Sequence, residues 1–439
     1  MESFLMKAIQ LIACLSILVI IHELGHFLFA RLFKVRVEKF YLFFDPWFSL
    51  FKFKPKNSET EYGLGWLPLG GYCKISGMID ESLDKEQMAK PPQPYEFRSK
   101  PAGQRLLIMT AGVIFNFLLA LFIYSMILLH WGDAYLPLKN VTYGMQFSDT
   151  FKEIGFVDGD ILSKADTTTL VRYEDCLLKI MEAKTVTVLR DGNIVVINIP
   201  SDMVQRVLRS KEQNPIDFRF PLIVSSVVST TAKEAGLQEN DRIICVNDIS
   251  TETFSDVSKE LSGVKGQTVL IEVIRNGKPL ALQIPVDMEG RLGVQVSNLY
   301  TIYETVSFRY NFLSSFPAGI RLGVNTLKGY VGSFKHVFTK EGAKSLGGFG
   351  TIGNLFPSSW NWRHFWELTA FLSIILAFMN ILPIPALDGG HVLFLLYEVI
   401  TRRKPSDKFL EYAQIVGMIL LVALLLYANG NDIIRFFYR

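Results

Sequence analysis

The sequence has few cysteines and almost no excess of charge of either sign. Its 439 residues include four cysteines, Cys14, Cys73, Cys176 and Cys245, and none of them forms a CxxC pair. The sequence therefore does not predict a disulfide framework. The net charge is only +3, and no basic patch with interleaved aromatic residues is present. Both observations argue against nucleic acid as a partner.

The first hydrophobic segment has no small-residue cleavage site after a short apolar run. Since such a site marks a signal peptide, we expect this segment to remain as an uncut span. A bilayer crossing takes about 20 apolar residues, and four segments of the chain satisfy this requirement. We predict transmembrane helices within residues 1–35, 106–131, 365–400 and 409–430.

Lysine and arginine are concentrated on one side of these four segments. They follow the first span (Arg31, Lys34, Arg36, Lys39), precede the second (Arg98, Lys100, Arg105) and separate the third from the fourth (Arg402, Arg403, Lys404, Lys408). Such residues stay preferentially on the cytoplasmic side. We therefore expect the loop 36–105 on the cytoplasmic side of a bacterial inner membrane and residues 132–364 outside.

The outer region contains an internal repeat. KEIGFVDGDIL at 152–162 recurs as KEAGLQENDRI at 233–243, and each copy is followed by β-rich runs around an Asp-Gly or Asn-Gly turn. The pattern predicts two β-rich domains, at 132–205 and 215–300. The second resembles a circularly permuted PDZ domain, because its Leu292-Gly293 segment comes last. It would bind a peptide by strand addition, or the domains would only fill space and exclude large proteins.

The first span contains the motif HELGH, with His22, Glu23 and His26. Residues four apart share a helix face, so the two histidines can bind one cation while Glu23 reaches a water on it. A satisfied core histidine and a chance HExxH match are the alternatives. A charged side chain at the bilayer centre costs about 2.5–3.5 kcal/mol and usually marks a functional site, which favours the metal interpretation.

A catalytic zinc takes three protein ligands, and the best stretch for the third is MNILPIPALDGGHVL at 379–393. Pro383 and Pro385 interrupt the third span there, and such irregular backbone at membrane depth must be buried or line a cavity. Asp388 and His391 both qualify by chemistry, and spacing alone does not choose between them. An anionic ligand partly neutralises the dication, which favours Asp388.

HELGH, NILPIPALDGG and the AGVIFN element of the second span together resemble the site-2 protease family of intramembrane metalloproteases. The resemblance is specifically to the bacterial regulator-of-sigma-E protease type with tandem periplasmic PDZ domains. The resemblance implies zinc on His22, His26 and Asp388, Glu23 as general base, and Asn380 near the substrate backbone. The chain departs from the family pattern at Val113, where proline is usual, and in GGFGTIG at 347–353.

The stretch GWLPLGGYCKISG at 65–77 resembles the re-entrant β-hairpin of that family. Two strand-like runs, SLFKFKPK and EYGLGWLP, lie before it and around its start, joined by a polar turn and rich in interfacial aromatics. Gly70, Gly71 and Tyr72 of this stretch, together with Pro383, are our further candidates for substrate binding. An exposed loop is the alternative.

The predicted fold is therefore a membrane protein with four transmembrane α-helices, a re-entrant β-hairpin and two outward-facing PDZ-like domains. Residues 301–364 mix apolar and basic residues at helical spacing and predict an amphipathic surface helix, or else a linker packed on the third span.

The resemblance implies a zinc protease that cuts the transmembrane segments of single-span proteins already shortened on their outer side, such as anti-sigma factors or leftover signal peptides. Its other partner would be membrane lipid. Two alternatives are a catalytically silent PDZ scaffold and an ion-binding transporter with a broken helix. The intact metal-and-base set argues against the scaffold, and the transporter would require inverted repeats, which we do not find.

Overall fold

The computed structural model describes residues 2–78, 91–210, 212 and 214–437. The predicted cytoplasmic loop 36–105 includes residues 79–90, which lie outside the described residues. The chain divides into two units, one formed by Met1–Gly132 with Arg309–Arg439 and the other by Asp133–Phe308.

The elements are labelled in chain order. The helices are α1 (Glu2–Leu32), α2 (Ala102–Trp131), α3 (Asp149–Lys152), α4 (Cys176–Glu182), α5 (Met203–Ser210), α6 (Thr230–Glu234), α7 (Phe254–Ser262), α8 (Leu299–Ile302), α9 (Phe312–Phe334), α10 (Lys340–Ser345), α11 (Phe349–Gly353), α12 (Trp362–Ile381), α13 (Asp388–Thr401) and α14 (Asp407–Phe437). The strands of the first unit are β1 (Val37–Phe44), β2 (Phe51–Phe53), β3 (Glu61–Leu64) and β4 (Leu67–Ile75). Those of the second unit are β5 (Asp133–Tyr135), β6 (Met145–Phe147), β7 (Ile161–Ala165), β8 (Thr168–Thr169), β9 (Thr185–Arg190), β10 (Asn193–Asn198), β11 (Ile216–Phe218), β12 (Val224–Val227), β13 (Arg242–Val246), β14 (Ile249–Ser250), β15 (Thr268–Arg275), β16 (Lys278–Pro285), β17 (Val294–Val296) and β18 (Val306–Phe308).

Four helices in the described part of the chain are long and apolar enough to cross a membrane, namely α1, α2, α12 and residues Lys408–Arg435 of α14. Each of them lies on one of the four predicted spans, and in the third it covers only the first part of the predicted range 365–400. Helix α2 begins four residues before the predicted start at 106, because Pro101 occupies its N-cap and proline is well tolerated at a helix start. Its Arg105 is paired with Glu398 of α13 at 2.5 Å, so the charge does not interrupt the helix.

The third predicted span is two helices joined by an irregular connection. Helix α12 ends at Ile381 and α13 begins at Asp388, with Pro383 and Pro385 between them. Proline has no N–H and cannot continue a helix ladder. The predicted interruption of this span is therefore present, and Asp388 is the first residue of the helix that follows it.

Helices α1 and α2 approach each other closely at glycine. A Cβ atom built on Gly25 would lie 2.6 Å from the carbonyl oxygen of Ala111 on α2. Small residues allow such approaches between membrane helices. The close contact lies beside the histidine face of α1.

The predicted amphipathic segment at 301–364 contains the long helix α9, and this helix packs mainly against the second span. Gly319 and Gly323 lie one turn apart on α9, and Cβ atoms added there would meet Ser125 and Leu121 of α2 at 2.3 and 2.5 Å. Tyr330 also makes edge contacts with Phe371 and Phe378 of α12. This helix therefore packs on both the second and the third span, and not on the third alone.

The strands between the first two spans form one sheet in the order β2-β3-β1-β4. The two strand-like runs of the sequence contain β2 and β3, and these two strands pair antiparallel. The stretch 65–77 is not itself a hairpin. Its strand β4 pairs antiparallel with the more distant β1, which satisfies one backbone edge of a strand that would otherwise be isolated.

The second unit has two copies of the same arrangement. The sheets β10-β9-β7-β8 and β14-β13-β15-β16 have equivalent orders, and each copy has its own hydrophobic core. In each copy a fully buried aspartate accepts a two-pronged hydrogen bond from an arginine, Asp160 from Arg190 and Asp241 from Arg275. Each carboxylate raises the pKa of its arginine through these hydrogen bonds. The repeat in the sequence is thus a repeat in structure.

The boundaries of the first copy differ from the prediction. Strand β11 pairs with β6 of the first copy, and Ile216 and Tyr303 are buried in its core. Residues 216–218 therefore do not belong to the predicted domain 215–300, and the first copy extends beyond 205. A short strand has too little local pattern to reveal which distant partner it joins.

Candidate active site

Three side chains from two separate helices converge inside the first unit. His22 and His26 project from one face of α1 and are buried, and Asp388 lies at the first position of α13. The Oδ2 atom of Asp388 lies 3.2 Å from His22 Nε2 and 3.3 Å from His26 Nε2. The two Nε2 atoms are 3.3 Å apart. These are the predicted histidines and the favoured third residue.

The spacing of these three atoms fits a tetrahedral zinc ion. Two ligand atoms at about 2.05 Å from a tetrahedral zinc lie about 3.3 Å apart, and the three observed separations are 3.2, 3.3 and 3.3 Å. Asp388 Oδ2 is also buried without a hydrogen-bond donor among the described residues. A buried anionic oxygen that faces two ring nitrogens is stabilised by a cation at their centre.

Helix α2 supplies the partners that orient both imidazoles. His26 Nδ1 lies 2.9 Å from the carbonyl oxygen of Ile108, which only accepts, so Nδ1 carries the proton and Nε2 is free to bind metal. His22 Nδ1 lies 3.3 Å from the carboxamide of Asn116. Turning that carboxamide would bring its otherwise unpartnered Oδ1 to the same nitrogen and give His22 the same tautomer.

Glu23 lies one position along α1 from His22 and contacts the sheet. Its carboxyl group is within hydrogen-bonding distance of the Cys73 backbone on β4. Strand β4 is at one end of the sheet formed by the described strands, so one of its backbone edges is not paired with another of these strands. The acid of the HELGH motif and the predicted substrate strand are thus neighbours.

Of the other predicted residues on the third span, Asn380 contacts one of the histidines and His391 does not join them. Asn380, near the end of α12, has its amide nitrogen 3.3 Å from His22 Nε2. Pro383 is exposed in the break after α12. His391 is not part of the close ligand group found in the described residues. It lines a separate cavity with Arg105 and Glu398.

The three candidates on β4 are placed by packing between the sheet and α1. A Cβ on Gly71 would lie 2.6 Å from the Tyr41 carbonyl oxygen and 2.7 Å from Val19 of α1, and one on Gly70 would lie 2.7 Å from the ring of Phe44. The hydroxyl of Tyr72 donates to Asp45 at 2.9 Å. Burial raises the pKa of this hydroxyl, so it stays a neutral donor within the sheet.

Two residues of the site were missed by the sequence analysis as functional candidates. Asn116 was used only as part of a resemblance, although an asparagine inside an apolar span is itself a signal. Gly112 gave no signal beyond its small size. A Cβ at Gly112 would lie 2.4 Å from His26 Nε2 and 2.7 Å from His22 Cε1, so only glycine leaves room for both imidazoles.

Comparison with known proteins agrees with this geometry. The model of Peptidase family M50 matches residues 10–424. A Campylobacter jejuni protein provisionally named a zinc metalloprotease is 30% identical over 96% of this chain and 91% of its own length. Protease RseP of Yersinia pestis is 28% identical over 99% of this chain and all of its own.

A further relative supports the same assignment over the full length. The regulator of sigma-E protease RseP of Escherichia coli K12 is 26% identical over 99% of both chains. The family match includes both predicted motifs, the whole of the second and third candidate spans and most of the first and fourth. The chain therefore belongs to peptidase family M50 and is an intramembrane zinc metalloprotease of regulated intramembrane proteolysis.

Proposed function

We propose that His22, His26 and Asp388 hold the zinc ion and that Glu23 is the general base. The observation that carries this proposal is the equal 3.2–3.3 Å spacing of three ligand atoms from α1 and α13. When bound, zinc polarises a peptide carbonyl and lowers the pKa of a water molecule. Glu23 accepts the proton of the attacking water and delivers it to the amine of the leaving fragment.

The substrate segment is held in an extended form beside β4. A helix hides its carbonyl groups in its own hydrogen bonds, so the scissile region must unwind before attack. The end strand β4 offers backbone groups to such a segment, with Gly70, Gly71 and Tyr72 next to it. Glu23 contacts the same strand at Cys73, which supports a scissile bond placed between β4 and the metal ligands.

Asn380 holds the freed substrate backbone and does not bind metal. We expect Asn380→Ala to reduce cleavage while leaving zinc content near that of the native protein, because a carboxamide is a weak zinc ligand and the three stronger donors remain. Zinc content of the purified variant by elemental analysis, together with its cleavage rate, tests this. Stoichiometric loss of zinc would place Asn380 among the ligands, since its amide is only 3.3 Å from His22 Nε2.

The substrates are single-span proteins of the inner membrane that have already been shortened on their outer side. The two repeat copies are PDZ-like domains facing the periplasm, and the metal ligands lie toward the cytoplasmic ends of their spans. The distribution of lysine and arginine supports this orientation. Candidate substrates are anti-sigma factor-like regulators and remnant signal peptides, and the relatives named as regulators of sigma-E protease support the first class.

The orientation makes a direct prediction for chemical labelling. A cysteine introduced near Asn247, in the second repeat copy, is expected to react with an impermeant thiol reagent applied outside the inner membrane. A cysteine near Pro405, between α13 and α14, is expected to react only after the membrane is opened. The reverse labelling pattern would place the repeat copies in the cytosol.

The function is tested by comparing membrane proteomes of cells that carry the native chain or the Glu23→Gln variant. Fragments of single-span proteins should accumulate only with the variant, because their final cut is missing. An unchanged set of fragments would contradict the proposed substrate class. An immunoblot of the membrane fraction checks that the Glu23→Gln variant is present at the level of the native chain.

A further inference from the structure

The six-residue break before Asp388 has few ways to satisfy its own backbone. Pro383 and Pro385 have no N–H to donate. Within Leu382–Leu387, three of the remaining N–H groups bond to carbonyl oxygens of α12 or of the break itself, those of Leu382, Ile384 and Leu387. The N–H of Ala386 instead donates to the side-chain oxygen Oε1 of Gln414 at 3.1 Å. The fourth span therefore supplies the acceptor that the break lacks.

Ala386 needs this support because of its backbone conformation. Its φ is +74°, a left-handed value that costs energy for a residue with a Cβ atom. Such conformations persist only where the surroundings enforce them. Ala386 is two residues before Asp388, so its conformation sets the direction in which α13 begins.

The face of α14 that meets the break differs from the rest of the helix. Gln414 is only 5% exposed, whereas neighbours such as Val416 and Ile419 are more than half exposed. Gly417, one turn further, is also buried, and a Cβ there would lie 1.9 Å from the Pro385 carbonyl oxygen. Two consecutive turns of α14 thus contact two consecutive residues of the break.

We propose that Gln414 is a positioning residue that holds the backbone of Ala386, and through it the carboxylate of Asp388, in register with His22 and His26. This inference rests on the proposed role of Asp388 as a zinc ligand. The hydrogen bond of Gln414 goes to the Ala386 backbone and not to a ligand atom. It acts by fixing the loop from which the third ligand projects.

The physical effect of removing the acceptor follows from burial. A backbone N–H left without a partner in a membrane interior is costly, so the break would change conformation to satisfy it. Ala386 would then leave its left-handed conformation, and Asp388 Oδ2 would move from its 3.2 Å distance to His22 Nε2. Groups that support metal ligands typically change metal affinity by about 10–100-fold when lost.

The test compares zinc affinity in purified full-length variants. Gln414→Met keeps the length of the side chain and removes the acceptor, and it should raise the zinc dissociation constant by roughly tenfold or more. Gln414→Glu keeps an acceptor oxygen when its carboxyl group is protonated, and it should weaken zinc binding less than Gln414→Met does. Gln10→Met is the matched control, since Gln10 is a fully buried glutamine in α1 that donates to the Pro357 carbonyl instead.

A second measurement reports on the loop without zinc. Amide hydrogen exchange at Ala386 in the zinc-free protein should be faster in Gln414→Met than in the native chain, and unchanged in Gln10→Met. Adding Ala386→Gly to Gln414→Met should recover part of the zinc affinity, because glycine adopts positive φ without strain. If Gln414→Met does not accumulate, Gln414→Asn replaces it, because the shorter amide does not reach the Ala386 N–H.

The results distinguish a failure of the positioning role of Gln414 from a failure of Asp388 as a zinc ligand. Zinc affinity within twofold of native and unchanged exchange in Gln414→Met would overturn the positioning role. An equal loss in Gln10→Met would also overturn it, because the effect would then be general destabilisation. Asp388→Ala is measured alongside, and full zinc binding by that variant would instead reject Asp388 as a ligand.

Discussion

Asp388→Asn is expected to abolish peptide cleavage and to weaken zinc retention strongly. The substitution keeps the size of the side chain and removes the negative charge that lies 3.2 and 3.3 Å from the two histidine nitrogens. An uncharged carboxamide lacks the attraction between a carboxylate and the dication, and this attraction is strong in a low-dielectric site. Zinc content after dialysis against a chelator, and the cleavage rate of a single-span substrate in detergent, are the two measurements.

His391→Ala is the control for this experiment. His391 follows Asp388 by three residues and is chemically able to bind zinc, but it lines a different cavity. We expect this variant to retain its metal and part of its activity. Loss of zinc from His391→Ala combined with retention by Asp388→Asn would show that the ligand assignment is wrong.

Glu23→Gln is expected to lower the cleavage rate by about 10²–10⁴-fold, the usual contribution of general acid-base catalysis. The amide cannot accept the proton of the attacking water, although it is nearly the same size as the carboxylate. Because Glu23 does not belong to the close ligand group of His22, His26 and Asp388, the purified variant should keep its zinc. Single-turnover cleavage and metal content, measured on the same preparation, test both statements.

The matched comparison is His22→Gln, which removes a proposed ligand from the adjacent position. We expect that variant to lose both zinc and activity. A Glu23→Gln protein that also loses zinc would indicate a structural role for Glu23 in the site. A variant that retains near-native turnover would remove Glu23 from the reaction altogether.

The sequence was sufficient to predict the four spans and the break in the third one. Their signals are local, because a helix of 20 apolar residues and a Pro-Ile-Pro interruption are both visible within a short window. The repeat copies were also predicted from local self-similarity. The pairing of β4 with β1 was not predicted, because it joins residues that are far apart along the chain and neither strand specifies its partner.

Part of the candidate site could likewise be predicted from the sequence, and part of it could not. The spacing of His22 and His26 on one helix was enough to predict that both bind the same ion. The third ligand could be narrowed to two residues, Asp388 and His391. The support of the site from other helices could not be predicted. Asn116, Gly112 and Gln414 act through the way in which α1, α2 and α14 pack, and the sequence of one helix contains no information about its rotation against another.

The close approach of α1 and α2 at Gly25 and Gly112 affects how a saturation mutagenesis experiment on this enzyme should be read. Any side chain at Gly25 would overlap the Ala111 carbonyl, and any at Gly112 would overlap an imidazole. Both positions would score as intolerant as His22 itself, although glycine has no functional group to contribute. A ranking by mutational sensitivity would therefore place glycines that are needed only for space beside residues that bind the metal. Metal content measured for each variant would separate the two groups.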